Sequence, residues 1–209
     1  MKNRIDIINQ YLDNLIPQPQ SSLQYTTPFT LLIATLLSAQ CHDEQVNRVT
    51  PKLFQEAPTP EAMAQLSEEQ IGNIIHPCGF FKIKAHYIRA LSEILAQKYQ
   101  GTVPNNFEQL EQLPGIGHKT ASVVIGHAFG VPTFPVDTHI KRLALKWQLS
   151  PGPDVLTIEK DLKSIFPQPL WFKKHLQMIA FGRKYCNHIN CKPDHLCPIC
   201  TILSKNTSV

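Results

Sequence analysis

Leu113-Pro114-Gly115-Ile116-Gly117-His118-Lys119-Thr120-Ala121 decides how this chain is read. Residues 107–112 before it carry a short helical pattern that Pro114 and Gly115 end, and residues 119–129 carry another that Gly130 stops. The stretch therefore joins two helices through a turn with two glycines, where main-chain N–H groups lie clear of any Cβ. Such a turn feeding a helix N-terminus is an anion site, because the N–H groups point outward and the helix dipole favours negative charge. On the glycines alone, a tight helical hairpin with no ligand fits equally well.

Outward from the hairpin the chain reads as helix after helix. Ile5, Ile8, Leu12 and Leu15 fall at intervals of three and four, which predicts an amphipathic helix over 3–15, stopped by Pro17 and Pro19. Residues 28–39 predict a helix buried on most sides, and further helices are expected at 46–55, 60–66, 67–75 and 82–100. Ser67 followed by Gln70 has the form of a capping box. Beyond the hairpin, Asp137 or Thr138 caps a helix reaching Trp147, and helices at 155–165 and 170–185 follow. No run alternates as a strand would and nothing repeats, so the fold class is all-α.

A chain of 209 residues, 43% of them hydrophobic, is long enough for one domain or two small ones. Its longest apolar run, 29–37, is broken by Thr30 and Thr35 and is too short to span a bilayer, so no membrane partner is expected. The first ten residues lack the marks of a secretory signal. The expectation is an intracellular, cytoplasmic protein, nucleoid-associated if bacterial, whose cysteines are thiols or metal ligands. The formal charge of +4 is only mildly basic, but from Trp171 onward Lys173, Lys174, Arg183, Lys184, Lys192 and Lys205 face Asp194 alone. That end is expected to meet phosphate, against the plainer alternative of a solvated basic tail.

Cys186, Cys191, Cys197 and Cys200 crowd together with four, five and two residues between them. Four thiolates suit a [4Fe–4S] cluster or a tetrahedral zinc, at which His188 or His195 could replace a thiolate. Cys41 and Cys78 read as small buried residues rather than ligands.

Taken with Pro135-Val136-Asp137-Thr138-His139 and this cysteine-rich end, the hairpin resembles the endonuclease III family of helix-hairpin-helix DNA glycosylases, over roughly residues 5–200. The resemblance implies a two-lobed all-α fold with a C-terminal four-cysteine metal loop at 186–200. One lobe would be residues 26–131, with the hairpin motif at about 107–129, and the other residues 1–25 plus 132–209, with a DNA cleft between them. It implies a monomeric enzyme acting on double-stranded DNA that contains damaged bases, expected to be oxidised pyrimidines, or abasic sites. Gly115, Ile116, Gly117, His118 and Thr120, together with His139, would contact DNA, while Lys119 would attack the sugar C1′ and Asp137 would assist.

The chemistry suits those residue types. Displacing a base with an amine leaves an imine to the opened sugar, which acidifies the 2′ proton and permits β-elimination of the 3′ phosphate; water cannot do this. A helix N-terminus and partial burial both favour the neutral amine that a lysine nucleophile needs. A nearby aspartate acts the other way, so the role implied for Asp137 is to accept a proton or steady the cationic sugar.

Reaching a stacked base also requires extrusion of the nucleotide and filling of the gap. Ser38-Ala39-Gln40 and Cys78-Gly79-Phe80 resemble the two family segments that do this, with Gln40 as polar plug and Phe80 as wedge; only one of Phe80 and Phe81 is expected to face DNA. The cysteine spacing departs from the family's six, two and five residues. A [4Fe–4S] cluster remains the expected cofactor, with zinc as the alternative. Two other functions stay open: a glycosylase that hydrolyses the base–sugar bond without a lyase step, and a non-catalytic DNA-binding module.

Overall fold

A computed structural model describes residues 2–187 and 197–205, and among these every regular element is helical. Helix α1 (Lys2–Leu15) belongs to a unit made of Met1–Gln20 and Pro132–Val209. The other unit, Ser21–Val131, holds α2 (Pro28–Ser38), α3 (Asp43–Glu56), α4 (Pro60–Gln65), α5 (Glu68–Ile75), α6 (Phe81–Lys98), α7 (Phe107–Glu111) and α8 (His118–Phe129). The chain then returns to the first unit with α9 (Thr138–Lys146), α10 (Val155–Ile165), α11 (Trp171–Lys184) and α12 (Pro198–Lys205). None of these helices is long and apolar enough to cross a membrane.

The Ser21–Val131 unit is organised by α2. Thr27 caps it in a reciprocal box with Thr30, Pro28 occupies its first turn, and every residue from Phe29 to Leu37 is buried. A helix with no polar face has to be surrounded, and α3, α6 and α8 pack around this one. Each buried leucine or isoleucine there stabilises the fold by about 1.5–3 kcal/mol relative to exposure. Ser67 and Gln70 form the expected capping box at α5. Helix α3 starts at Asp43, earlier than the apolar pattern predicts, because its first turn is acidic and complements the helix dipole without contributing to the buried stripe.

In the other unit, Ile8 and Leu12 of α1 join Ile140, Leu143, Trp147, Leu162, Met178 and Phe181 in a separate core. Lys174 is 1% exposed; its ammonium pairs with Asp13 at 3.0 Å, and Lys173 reaches the same carboxylate at 3.1 Å. Two of the six basic residues expected to face phosphate are thus engaged within the fold. The end of the cysteine segment, read from sequence as loop, forms α12. Pro198 at its first position and the buried Ile199, Cys200 and Leu203 were the available signals.

Candidate active site and thiol centre

The hairpin is anchored from within. Leu113 and Ile116 are buried, and the Ile116 amide closes the turn onto the Leu113 carbonyl at 3.1 Å. Because the Ile116 side chain lies in the core, any DNA contact at that residue has to be made by its main chain. Gly115 takes a left-handed φ of +76°, and Gly117 caps α8 with no side chain over the helix end. The first α8 amides have no acceptor within the helix, and the positive end of the dipole emerges there.

Lys119 is the second residue of α8 and is exposed. The partial burial expected for it is not found, since α8 turns Ala121, Val124 and Ile125 inward and its first turn outward. His118, also exposed, contacts Glu111 through Nδ1 at 2.7 Å and stacks on Phe107 with ring centroids 5.2 Å apart. Both partners come from α7, so the short helix before the hairpin orients the histidine after it. Thr120 is half-buried.

Gln40 and Phe80 share an unusual backbone state: both are left-handed, with φ of 53° and 59°. Phe80 is 64% exposed, whereas Phe81 packs against Gly72 and His76. Of the two aromatic residues, Phe80 is the one that faces outward. The loops touch, for a Cβ on Gly79 would lie 3.8 Å from the Gln40 carbonyl oxygen. Lys84, which no motif marks in the sequence, holds them from behind. Its buried ammonium donates to the Leu37 carbonyl at 2.9 Å and the Ala39 carbonyl at 2.8 Å. Burial pulls this lysine below its ordinary pKa, against the opposing influence of the Cys41 and Cys78 sulfurs.

In the other unit, Asp137 caps α9, its Oδ1 accepting from the Ile140 amide at 2.8 Å. The segment leading to it is held by His175, a buried residue whose Nδ1 donates to the Pro135 carbonyl at 2.7 Å. His139 is half-buried, 3.5 Å from Arg142, whose guanidinium donates to the Gly182 carbonyl at 3.1 Å and to that of Cys186. His175 and Arg142 are positioning residues with no motif to mark them in the sequence.

Cys186, Cys197 and Cys200 are buried, with their sulfurs within 4.8 Å of one another. Cys191, His188 and His195 lie outside the described residues. A hydrogen bond with Cys186 draws the Cys197 thiol down, but Cys200 and burial outweigh it and push the thiol up to about 12. Three converging sulfurs in an apolar setting, with a fourth cysteine on the intervening segment, fit a thiolate-ligated metal centre, whose binding has to release protons.

An all-α chain in which a glycine hairpin bares a helix end, followed by a lysine and a cysteine centre, defines a helix-hairpin-helix protein of the DNA-handling kind. The family model for the HhH-GPD superfamily base excision DNA repair protein matches residues 33–168. Endonuclease III of Synechocystis sp. is 42% identical over 203 residues, covering 94% of this chain and 93% of that protein. Endonuclease III of Escherichia coli K12 is 40% identical over 183 residues, covering 88% and 86%. The solved structure of a trapped endonuclease III–DNA covalent intermediate superposes with a TM-score of 0.88 at 37% identity, covering 97% of this chain and 98% of that one. The chain belongs to the endonuclease III family, within the HhH-GPD superfamily of base excision DNA repair proteins.

Proposed function

We propose that this protein removes damaged pyrimidines, oxidised ones above all, from double-stranded DNA and then cleaves the abasic strand, with Lys119 as nucleophile. The observation that carries the reading is the position of Lys119, exposed in the first turn of the helix that follows the Gly115–Gly117 hairpin, in a member of the endonuclease III family.

Main-chain N–H groups of the hairpin and of the first α8 turn hold the phosphodiester, with His118 and Thr120 beside them. Gln40 and Phe80 fill the space left by the extruded nucleotide. Nζ of Lys119, as the free amine, bonds to C1′ while the C1′–N bond to the base breaks and the base leaves with its electron pair. The departed base takes up a proton from solvent, and one ammonium proton passes to O4′ as the C1′–O4′ bond breaks, which opens the sugar ring and gives the protonated imine. Removal of the 2′ proton then expels the 3′ phosphate. Asp137 steadies the cationic sugar or accepts a proton. Cys186, Cys191, Cys197 and Cys200 would hold a [4Fe–4S] cluster that supplies a rigid structural pin.

Borohydride reduction of the protein mixed with abasic-site DNA tests the nucleophile. A covalent adduct that disappears in Lys119→Ala is expected. Base release without any adduct would instead mark a hydrolytic glycosylase, and DNA binding without either reaction would mark a bare binding module. Visible absorption of freshly purified protein tests the cofactor: iron–sulfur absorbs there, whereas zinc does not.

A further inference from the structure

Two cysteines outside the thiol centre lie where the Gln40 and Phe80 loops meet. Cys41 follows Gln40 and Cys78 precedes Gly79 and Phe80. The Cys41 thiol donates to the His42 carbonyl at 3.7 Å and lies close enough to Cys78 to raise that thiol's pKa. Cys78 is fully buried, while Cys41 is partly open to solvent. The main chains are adjacent as well, as the 3.8 Å separation between a Gly79 Cβ and the Gln40 oxygen requires. Behind them the Lys84 ammonium, fixed by the Leu37 and Ala39 carbonyls, is within electrostatic reach of both sulfurs. Two thiols on adjacent loops, one reachable and one shielded, beside an immobilised cation, have the arrangement of a reversible dithiol.

We propose that Cys41 and Cys78 form a reversible intramolecular disulfide by exchange with a low-molecular-weight disulfide, clamping the Gln40 loop to the Phe80 loop. Cys41 reacts first because it is the accessible sulfur. After its proton passes to solvent, its sulfur bonds to one sulfur of the small disulfide, whose S–S bond breaks to release one small thiolate. The Cys78 sulfur then bonds to that of Cys41, expelling the second small thiolate, which takes up the Cys78 proton. Two protein thiols are oxidised to one disulfide, and the small disulfide is reduced to two thiols.

Burial raises the Cys78 thiol and Lys84 opposes that rise, and both persist once Cys41 carries the small thiol. The second step is therefore the slow one. Gln40, Gly79 and Phe80 are exposed, and the bond requires the two sulfurs to close to about 2.05 Å. Any effect of the clamp on DNA rests on the duplex-opening role proposed for these loops, but the bond itself does not.

The test is to incubate the natively folded, metal-loaded protein with oxidised glutathione, block remaining thiols with an alkylating agent, and map the peptides by mass spectrometry. A Cys41–Cys78 linked peptide pair that dithiothreitol separates is expected. Cys78→Ser should accumulate glutathione on Cys41, and Cys41→Ser should leave Cys78 unreacted. Glutathione remaining on Cys41 of the unsubstituted protein, both cysteines alkylated, or Cys78 linked to any other cysteine would overturn the proposal. A linked protein that excises damage at an unchanged rate supports the dithiol and removes the duplex-opening role of the loops.

Discussion

Tyr87 of α6 lies against the bare α-carbon of Gly115, so closely that a Cβ there would stand 2.6 Å from the ring's Cδ2. The hairpin glycine is thus constrained twice, by its left-handed φ of +76° and by an aromatic ring. Gly130 shares the first constraint, with φ +65°, but has nothing within 4 Å; Gly117 has neither. Left-handed strain alone costs a side chain about 1–2 kcal/mol. Gly115→Ala should therefore destabilise by about 2–4 kcal/mol and Gly130→Ala by about 1, while Gly117→Ala, unstrained but at the N-cap of α8 where alanine is disfavoured, should cost about 0.5–1. Chemical denaturation ranks the three, and equal losses at Gly115 and Gly130 would remove Tyr87 from the account.

What the sequence reveals follows from the range of each interaction. Helices with local signals are legible: Ser67 with Gln70, Asp137 at the start of α9 and Gly130 at the end of α8 all sit where the pattern puts them. So is the hairpin, because its glycines and helix ends are neighbours in the chain. Helix α12 is missed because its eight residues follow a cysteine run that reads as loop. Lys84, His175 and Arg142 are missed for a different reason. Each acts through main-chain carbonyls 40 or more residues away, and a carbonyl leaves no trace in the identity of the residue that bears it.

Lys84→Met tests the strut behind the two exposed loops. Methionine matches the length of the stem but leaves the Leu37 carbonyl buried without its donor, while the carbonyl of exposed Ala39 can turn to water. The imbalance predicts a loss of about 1–3 kcal/mol. Because the strut fixes where α2 ends, amide exchange at Gln40 and Cys41 should quicken more than exchange in α8. Uniform acceleration across the unit would indicate general destabilisation instead.

Asp13 makes the α1–α11 contact sensitive to acid. Burial raises its carboxyl, but hydrogen bonds from Gln177, Lys174 and Lys173 outweigh that and bring it from 3.8 down to about 2. A carboxylate lowered in the folded state binds fewer protons there than in the unfolded chain. Its stabilisation is complete above about pH 5 and is lost as pH falls from about 4 towards 2. Lys174 does not reverse this, since burial lowers its ammonium despite Asp13 and it stays charged throughout that range. Asp13→Asn should lower the melting temperature at pH 7 and flatten its fall below pH 4. An equally steep acid limb in the variant would place the sensitivity at another carboxylate.

Phe80 separates stability from function most sharply. It is 64% exposed and left-handed, so its side chain adds little to the core while its backbone carries strain that glycine would relieve. On folding grounds, Phe80→Gly should be neutral or stabilising by up to about 1 kcal/mol. If the ring enters the duplex, however, the variant loses a stacking contact of about 1–3 kcal/mol per base, a roughly five- to 150-fold fall in excision rate. Phe81→Ala should do the opposite first, lowering stability through its lost packing on Gly72 and His76. Denaturation curves and single-turnover excision on the same preparations separate the two effects, and a Phe80→Gly protein that excises normally would take the wedge role away from this residue.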